Sequence, residues 1–288
     1  MEDLFQLVRN RIAFEAEISG PILSNAKSPP APTSKIKSPQ SKTDSSPISQ
    51  PSKVHVSAPS VAAADGRASA SPDAYQRIES LIPSDSPLSS MTTLEEVEAY
   101  VANTDLIPLD ASRTNPVFGV GNPNADLLVI GEAPGRDEDR QGEPFVGRAG
   151  QLLNKILEAV NFAREDVYIA NILKSRPPDN RNPTPIEVAG HIPILHKQIA
   201  LIRPKLILCV GKTAGTSLLD IQTSLAKMRG QFHDYHGLPV LVTYHPAALL
   251  RNPQWKRPTW EDVQLLRERH DELIDNADAQ SQSPPLSS

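Results

Sequence analysis

The stretch GEAPGRDEDRQGEPFVGRAG, residues 131–150, sets Gly131, Gly135, Gly142, Gly147 and Gly150 among Glu132, Asp137, Glu138 and Asp139. Glycines permit tight turns and close backbone approach, so main-chain N–H groups can face a ligand while the acids hold a water. The alternative is a solvated acidic turn. A phosphate-cradling loop does not fit, because no Lys-Ser/Thr pair follows the glycines and the acids repel phosphate. Phe145 serves either as core filler or as a stacking surface for a planar ligand. Asn171 offers one acceptor and two donors, enough to read the edge of a heterocycle, or to cap a turn. His245, directly before a proline, is either structural or functional. Lys174, Arg176 and Arg181 against Asp179 give one loop a local charge of +2. A second basic loop, HPAALLRNPQWKRP, carries Arg251, Lys256 and Arg257 without an acid. Two such loops suit a phosphate backbone, with Leu249 and Leu250 as an apolar wedge, unless both are simply solvated. His191 and His196 are five apart, ~140° of rotation on a helix, and make a poor metal pair. No G-x-S-x-G elbow points to a serine nucleophile.

These residues need a scaffold. Four short apolar runs read as strands: LLVIG at 127–131, VYIAN at 167–171, LILCVG at 206–211 and PVLVTY at 239–244. Helical patterns fall at 149–160, 186–202, 212–219 and 259–274. Unbroken β-branched runs alternating with helices argue for an α/β fold with a parallel sheet covered on both faces. In such sheets the ligand crevice lies at the carboxyl ends of the strands. Here those ends read Gly-Glu-Ala-Pro-Gly, Asn171, Gly211 and Tyr244-His245-Pro246.

Composition sets the outer limits. Lys+Arg 29 against Asp+Glu 34 gives a net charge of −5, so any DNA-binding charge must be local. One cysteine, Cys209, excludes an intrachain disulfide and any all-cysteine metal site. The absence of a long apolar run or a leader pattern at Met1 makes a soluble, cytoplasmic chain with no membrane span the expectation. Residues 1–19, with Leu4, Phe5, Leu7, Val8, Ile12 and Phe14 among charges, suit a short amphipathic helix. Residues 20–90 hold much of the chain's 28 prolines and read as a disordered Pro/Ser/Ala-rich linker, with room for one short helix at 73–82. A globular domain is expected over 91–276 and a disordered tail over 277–288. About 70 flexible residues span on the order of 45 Å, reach enough for residues 1–19 to recruit a protein partner.

The motifs GEAPGRDEDRQGEPFVGRAGQLL, NILKSRPPDNRNPTP, LIRPKLILCVG and YHPAALLRNPQWKRPTWED, with the approach segment RTNPVFGVGNPNADL, together resemble a family 4 uracil-DNA glycosylase from about Thr93 to Arg269. The resemblance implies a three-layer α/β/α domain with a central four-stranded parallel sheet, acting as a monomer on uracil-containing DNA in base-excision repair. It implies that uracil is flipped out of the DNA before its glycosidic bond is cut. On this basis Phe145 stacks on the ring and Asn171 reads its edge. Glu132 positions the hydrolytic water, with Ala133 backbone groups lining the pocket. Glu138 lies beside the ring and helps exclude a thymine methyl. His245 stabilises the charge developing on O2. Lys174, Arg176, Leu249, Leu250 and Arg251 contact DNA.

One departure is severe. The family holds a [4Fe–4S] cluster on four cysteines, and the matching positions here read Thr104, Ile107, Ser175 and His191. Isoleucine cannot ligate, and hydroxyls are poor partners for soft iron–sulfur chemistry. No cluster and no other cofactor is expected, with Ile107 filling part of the vacated space. Two other functions stay open: a catalytically inactive DNA-binding adaptor on a glycosylase scaffold, and an enzyme for another deaminated base such as hypoxanthine.

Overall fold

A computed structural model describes residues 73–281 of the chain. The helix expected over 1–19 and most of the linker expected over 20–90 lie outside the described residues.

The strands expected from the four apolar runs form the centre of the sheet: β2 (Leu127–Gly131), β3 (Tyr168–Asn171), β4 (Leu206–Val210) and β6 (Leu238–Thr243). They pair in parallel in the order β3-β2-β4-β6. Two short antiparallel strands close the edges, β1 (Val120–Gly121) beside β3 and β5 (Phe232–Tyr235) beside β6. Among the described residues the sheet thus has six strands, the four expected parallel ones at its centre and one added at each edge. Neither edge strand announces itself: one is two residues long, and the other, FHDY, is only partly buried.

Side chains alternate across the buried strands, and each set meets its own helices. Leu128, Ile130, Ile207, Cys209 and Val240 pack with Leu195, Ile199 and Leu218, from α5 (Pro185–Ile202) and α6 (Lys212–Leu219). Leu127, Val129, Leu208, Val210 and Leu241 pack with Leu153, Leu157, Trp260 and Val263. The latter come from α4 (Arg148–Glu158) and α9 (Lys256–Ser281). This is the α/β/α layering expected of the resemblance.

Both domain boundaries move outward. Residues 73–90, assigned above to the linker, carry α1 (Ala74–Glu79) and a 3₁₀ turn at Pro87–Ser90. Ile78, Ile82 and Leu88 are buried. Asp73 caps α1 by accepting from the Gln76 N–H, and the Gln76 side chain returns the bond. A Pro/Ser-rich composition hides three anchors that suffice to order the segment. At the other end α9 runs on through residue 277, where the tail was expected, to Ser281. Among the described residues no helix is long and apolar enough to cross a membrane.

Candidate active site

The register sets the crevice. Gly131 pairs with Asn171 at the carboxyl ends of β2 and β3, and Val210 pairs with Thr243 two residues before His245. A cavity of about 410 Å³ opens there, lined by Glu132, Ala133, Glu138, Phe145, Asn171, His245 and Arg251. Seven of the residues singled out in the sequence therefore meet in one place.

Gly131 makes the floor. A Cβ there would lie 2.2 Å from Asn171 Oδ1 and 2.7 Å from Phe145 Cζ, so only glycine lets both side chains lie against the strand end. Phe145 itself adopts a left-handed backbone conformation, φ 56°. Three contacts hold its loop. Glu138 Oε1 accepts from the Val146 and Gly147 N–H groups, each at 3.2 Å. Arg164 donates to the Pro144 carbonyl at 2.8 Å. Gly150 of α4 backs onto the Phe145 carbonyl so closely that a Cβ would stand 1.7 Å from its oxygen. The Glu138 carboxylate, expected beside the ring as a guard, is thus engaged in holding that loop. Asp139 is buried and ties down Thr114, accepting from its N–H at 2.9 Å and its hydroxyl at 2.7 Å.

His245 caps helix α8 (Pro246–Arg251), its Nδ1 accepting from the Ala247 N–H at 3.1 Å. An accepting Nδ1 leaves Nε2 as the protonated donor nitrogen. Burial, reinforced by the nearby Arg251 charge, lowers its pKa to about 4, so the ring is neutral at physiological pH. It stacks on Phe145 with ring centroids 5.6 Å apart. The strand end leading to it is anchored from behind, where Asp262 accepts from Thr243 Oγ1 at 2.6 Å and from Arg229 at 2.9 Å.

Two expected DNA contacts are not on the surface. Lys174 is fully buried; its ammonium donates to the Asn171 carbonyl at 2.9 Å and to Gln198 Oε1 at 2.6 Å. Burial lowers its pKa to about 7. Leu249 is 0% exposed and belongs to the core beneath α8, leaving Leu250, 42% exposed, as the accessible half of the leucine pair. One turn of helix points neighbouring side chains in different directions, which a wedge reading of both leucines overlooks. Arg176 lies outside the cavity lining, half-buried, and donates to Asn180 Oδ1 at 2.8 Å. The cavity also takes in Asn180, Arg181 and Asn182, to which the sequence reading gave no pocket role. Glu187 binds the Arg181 guanidinium at 2.6 and 2.8 Å, and that bond holds the Glu187 carboxyl down to about 2. The sequence signal was there, a basic residue in the proline loop after β3.

The four positions matched to cluster ligands do not fit an iron–sulfur cluster. Ile107 carries no donor and fills space, its Cγ2 so near Gly190 that a Cβ there would lie 2.2 Å away. His191 Nδ1 accepts from the Lys174 N–H at 3.0 Å, and Nε2 faces Asp110 at 3.1 Å. Ser175 Oγ donates to Asp110 as well. Burial pushes the Asp110 carboxyl up, but the bonds from His191 and Ser175 outweigh it and hold it to about 2. The lone thiol, Cys209, is buried in β4.

Known proteins agree with this architecture. The family model for the uracil DNA glycosylase superfamily matches residues 118–264. A type-4 uracil-DNA glycosylase of Archaeoglobus fulgidus is 40% identical over 186 residues, covering 62% of this chain and 94% of that protein. One of Thermotoga maritima is 42% identical over 175 residues, covering 59% of this chain and 91% of the relative. A third, of Saccharolobus solfataricus, is 42% identical over 187 residues, covering 62% and 87%. The family model and these relatives converge: the chain belongs to the uracil-DNA glycosylase superfamily, in its type-4 family.

Proposed function

We propose that this chain hydrolyses the N-glycosidic bond of a flipped-out uracil in DNA, and does so without an iron–sulfur cluster. The observation that carries the reading is the cavity in which Glu132, Phe145, Asn171 and a neutral His245 meet. The extruded ring stacks on Phe145, and the Asn171 amide donates to O4 and accepts from N3–H. Cytosine presents the reversed pattern and leaves buried polar groups unpaired. As the N1–C1′ bond breaks, its electron pair leaves with the base and charge develops on O2. The His245 Nε2–H donates to that oxygen. A water held by Glu132 bonds C1′, its proton passing to the carboxylate and onward to the departing base. Arg251 and Leu250 suit the DNA backbone and the gap left by the flipped nucleotide. The hydroxyls at 104 and 175 and the aliphatic side chain at 107 support cluster-free operation.

The test is uracil release from a uracil-containing oligonucleotide by the purified, metal-free chain. His245→Ala is expected to lower kcat by about 10²–10³, as removal of one preorganised donor does elsewhere. Asn171→Ala is expected to lose selectivity for uracil over cytosine together with rate. DNA binding without uracil release by the wild-type chain overturns the reading in favour of a non-catalytic adaptor.

A further inference from the structure

All four positions matched to cluster ligands touch one ion pair. Asp110 lies in the 3₁₀ turn Pro108–Ser112, and Arg113 follows it, with Arg113 Nη1 3.4 Å from Asp110 Oδ1. The Thr104 carbonyl accepts from Arg113 Nη2 at 3.2 Å. The Ile107 N–H donates to Asp110 Oδ2 at 3.1 Å. The Ser175 hydroxyl donates to Asp110 Oδ1, and His191 Nε2 lies 3.1 Å from the same oxygen. Asp110 has no exposed side-chain surface and Arg113 only 7%. Arg113 also donates to the Val101 carbonyl at 2.6 Å, the last turns of helix α2 (Leu94–Asn103). Three chain segments therefore converge on a buried carboxylate–guanidinium pair: the 101–113 stretch, the turn after β3, and α5.

We propose that the Asp110–Arg113 pair is the clasp that does here what a metal cluster would do at these positions, and that it is a positioning element for Asn171. The route is short. Ser175 and Lys174 follow Asn171 by four and three residues. The Lys174 N–H is fixed on His191, and its ammonium is fixed on the Asn171 carbonyl. A carboxylate that holds both Ser175 and His191 thereby sets the turn on which the Asn171 amide depends. A buried pair of this kind adds little against an apolar substitute, but removing Asp110 leaves the buried guanidinium with only the exposed Asp105 carboxylate, 4.0 Å away. That asymmetry makes the pair a strict holder of geometry. The positioning half of the proposal rests on the glycosylase reading, whereas the clasp itself does not.

The experiment uses the full chain with Asp110→Asn, which keeps shape and removes charge, and Ser175→Ala, which removes one hydroxyl that donates to Asp110 and accepts from Arg113 Nη1 at 3.4 Å. Thermal unfolding is read beside kcat and KM on a uracil-containing oligonucleotide, and beside affinity for the same oligonucleotide without uracil. Asp110→Asn is expected to lower the unfolding midpoint by about 10 °C. Well below that midpoint, kcat/KM is expected to fall at least tenfold with affinity for uracil-free DNA unchanged. If Asp110→Asn does not fold, the clasp is supported and Ser175→Ala carries the positioning test, with a smaller loss in the same ratio. Wild-type midpoints in both variants overturn the clasp. Lowered midpoints with unchanged kcat/KM overturn the positioning role. A wild-type chain that releases no uracil overturns the glycosylase reading and the positioning role with it, while the midpoints still decide the clasp.

Discussion

The ammonium of Lys174 lies 2.9 Å from the Asn171 carbonyl with no exposed surface, while Arg251 lines the cavity and is exposed to solvent. Both are basic residues that follow the carboxyl end of a strand, and sequence alone gives them one role. Burial separates them. A cation counts toward DNA binding when it releases counterions from phosphate, and a side chain sealed in the protein cannot do so. Arg251→Ala should therefore weaken binding to DNA of any sequence and reduce the slope of log affinity against log salt by about 1. Lys174→Gln should leave that slope unchanged and lower stability instead, because the shorter, neutral amide replaces the ammonium that bonds both Gln198 and the Asn171 carbonyl. Binding isotherms at several salt concentrations check both, and a reduced slope for Lys174→Gln would contradict the buried placement. The polar residues of the cavity were legible because strand ends are where a parallel sheet exposes ligands. Lys174, Leu249 and the Asp110 clasp were not, because direction and burial of a loop side chain depend on contacts with distant segments.

Helix α4 fixes the aromatic wall of the cavity through one glycine. Its N-terminal turn packs on the Phe145 carbonyl at a separation that no side chain allows, with a Gly150 Cβ falling 1.7 Å from that oxygen. Backbone on both sides leaves nothing flexible to yield. Gly150→Ala is therefore expected to push the Phe145 loop away from Gly131 and Asn171, breaking the Glu138 bonds to Val146 and Gly147. Overpacking of this kind costs about 1–3 kcal/mol of stability. The larger effect should be on uracil excision, with kcat/KM falling by at least an order of magnitude. Denaturation curves measured beside turnover on the same preparation separate the two, and wild-type turnover would show that the contact does not set the ring. At this scale the strands and main helices were readable, since the buried runs are apolar on both faces and α4 carries a helical apolar stripe of its own. The edge strands were not, because they owe their order to partners, β1 to β3 and β5 to β6; α1 falls within the short helix for which 73–82 had room, and it is held on α5 where Lys197 meets Glu79.

Two histidines give the whole fold a pH dependence of definite sign. His196 and His245 lie on different layers, and burial lowers both to about 4, with the charge of His236 adding to His196 and that of Arg251 to His245. His196 Nε2 meets the Tyr235 hydroxyl at 2.8 Å while its Nδ1 is buried without a partner, so the charged ring, with an N–H on both nitrogens, leaves the Nδ1–H without an acceptor. An unfolded chain protonates these side chains near pH 6.5. Between that value and about 4 the unfolded state binds more protons than the folded one, so stability rises with pH across this window and is lost as pH falls through it. Each group contributes at most about 1.4 kcal/mol per pH unit, which by pH 4.5 is on the order of 2 kcal/mol apiece. Denaturant titrations at pH 7, 5.5 and 4.5 should show a steady loss, steeper than for His196→Gln, which keeps a partner for Tyr235 but cannot titrate. An identical loss in the variant would mean that His196 takes up its proton in the folded state as readily as in the unfolded one. A smaller loss in the variant, by roughly half, would place one of the two acid-sensitive points in the layer beneath α5, away from the active-site cavity. The other would remain with His245, whose neutrality serves the proposed chemistry and makes acid a cost to both rate and fold.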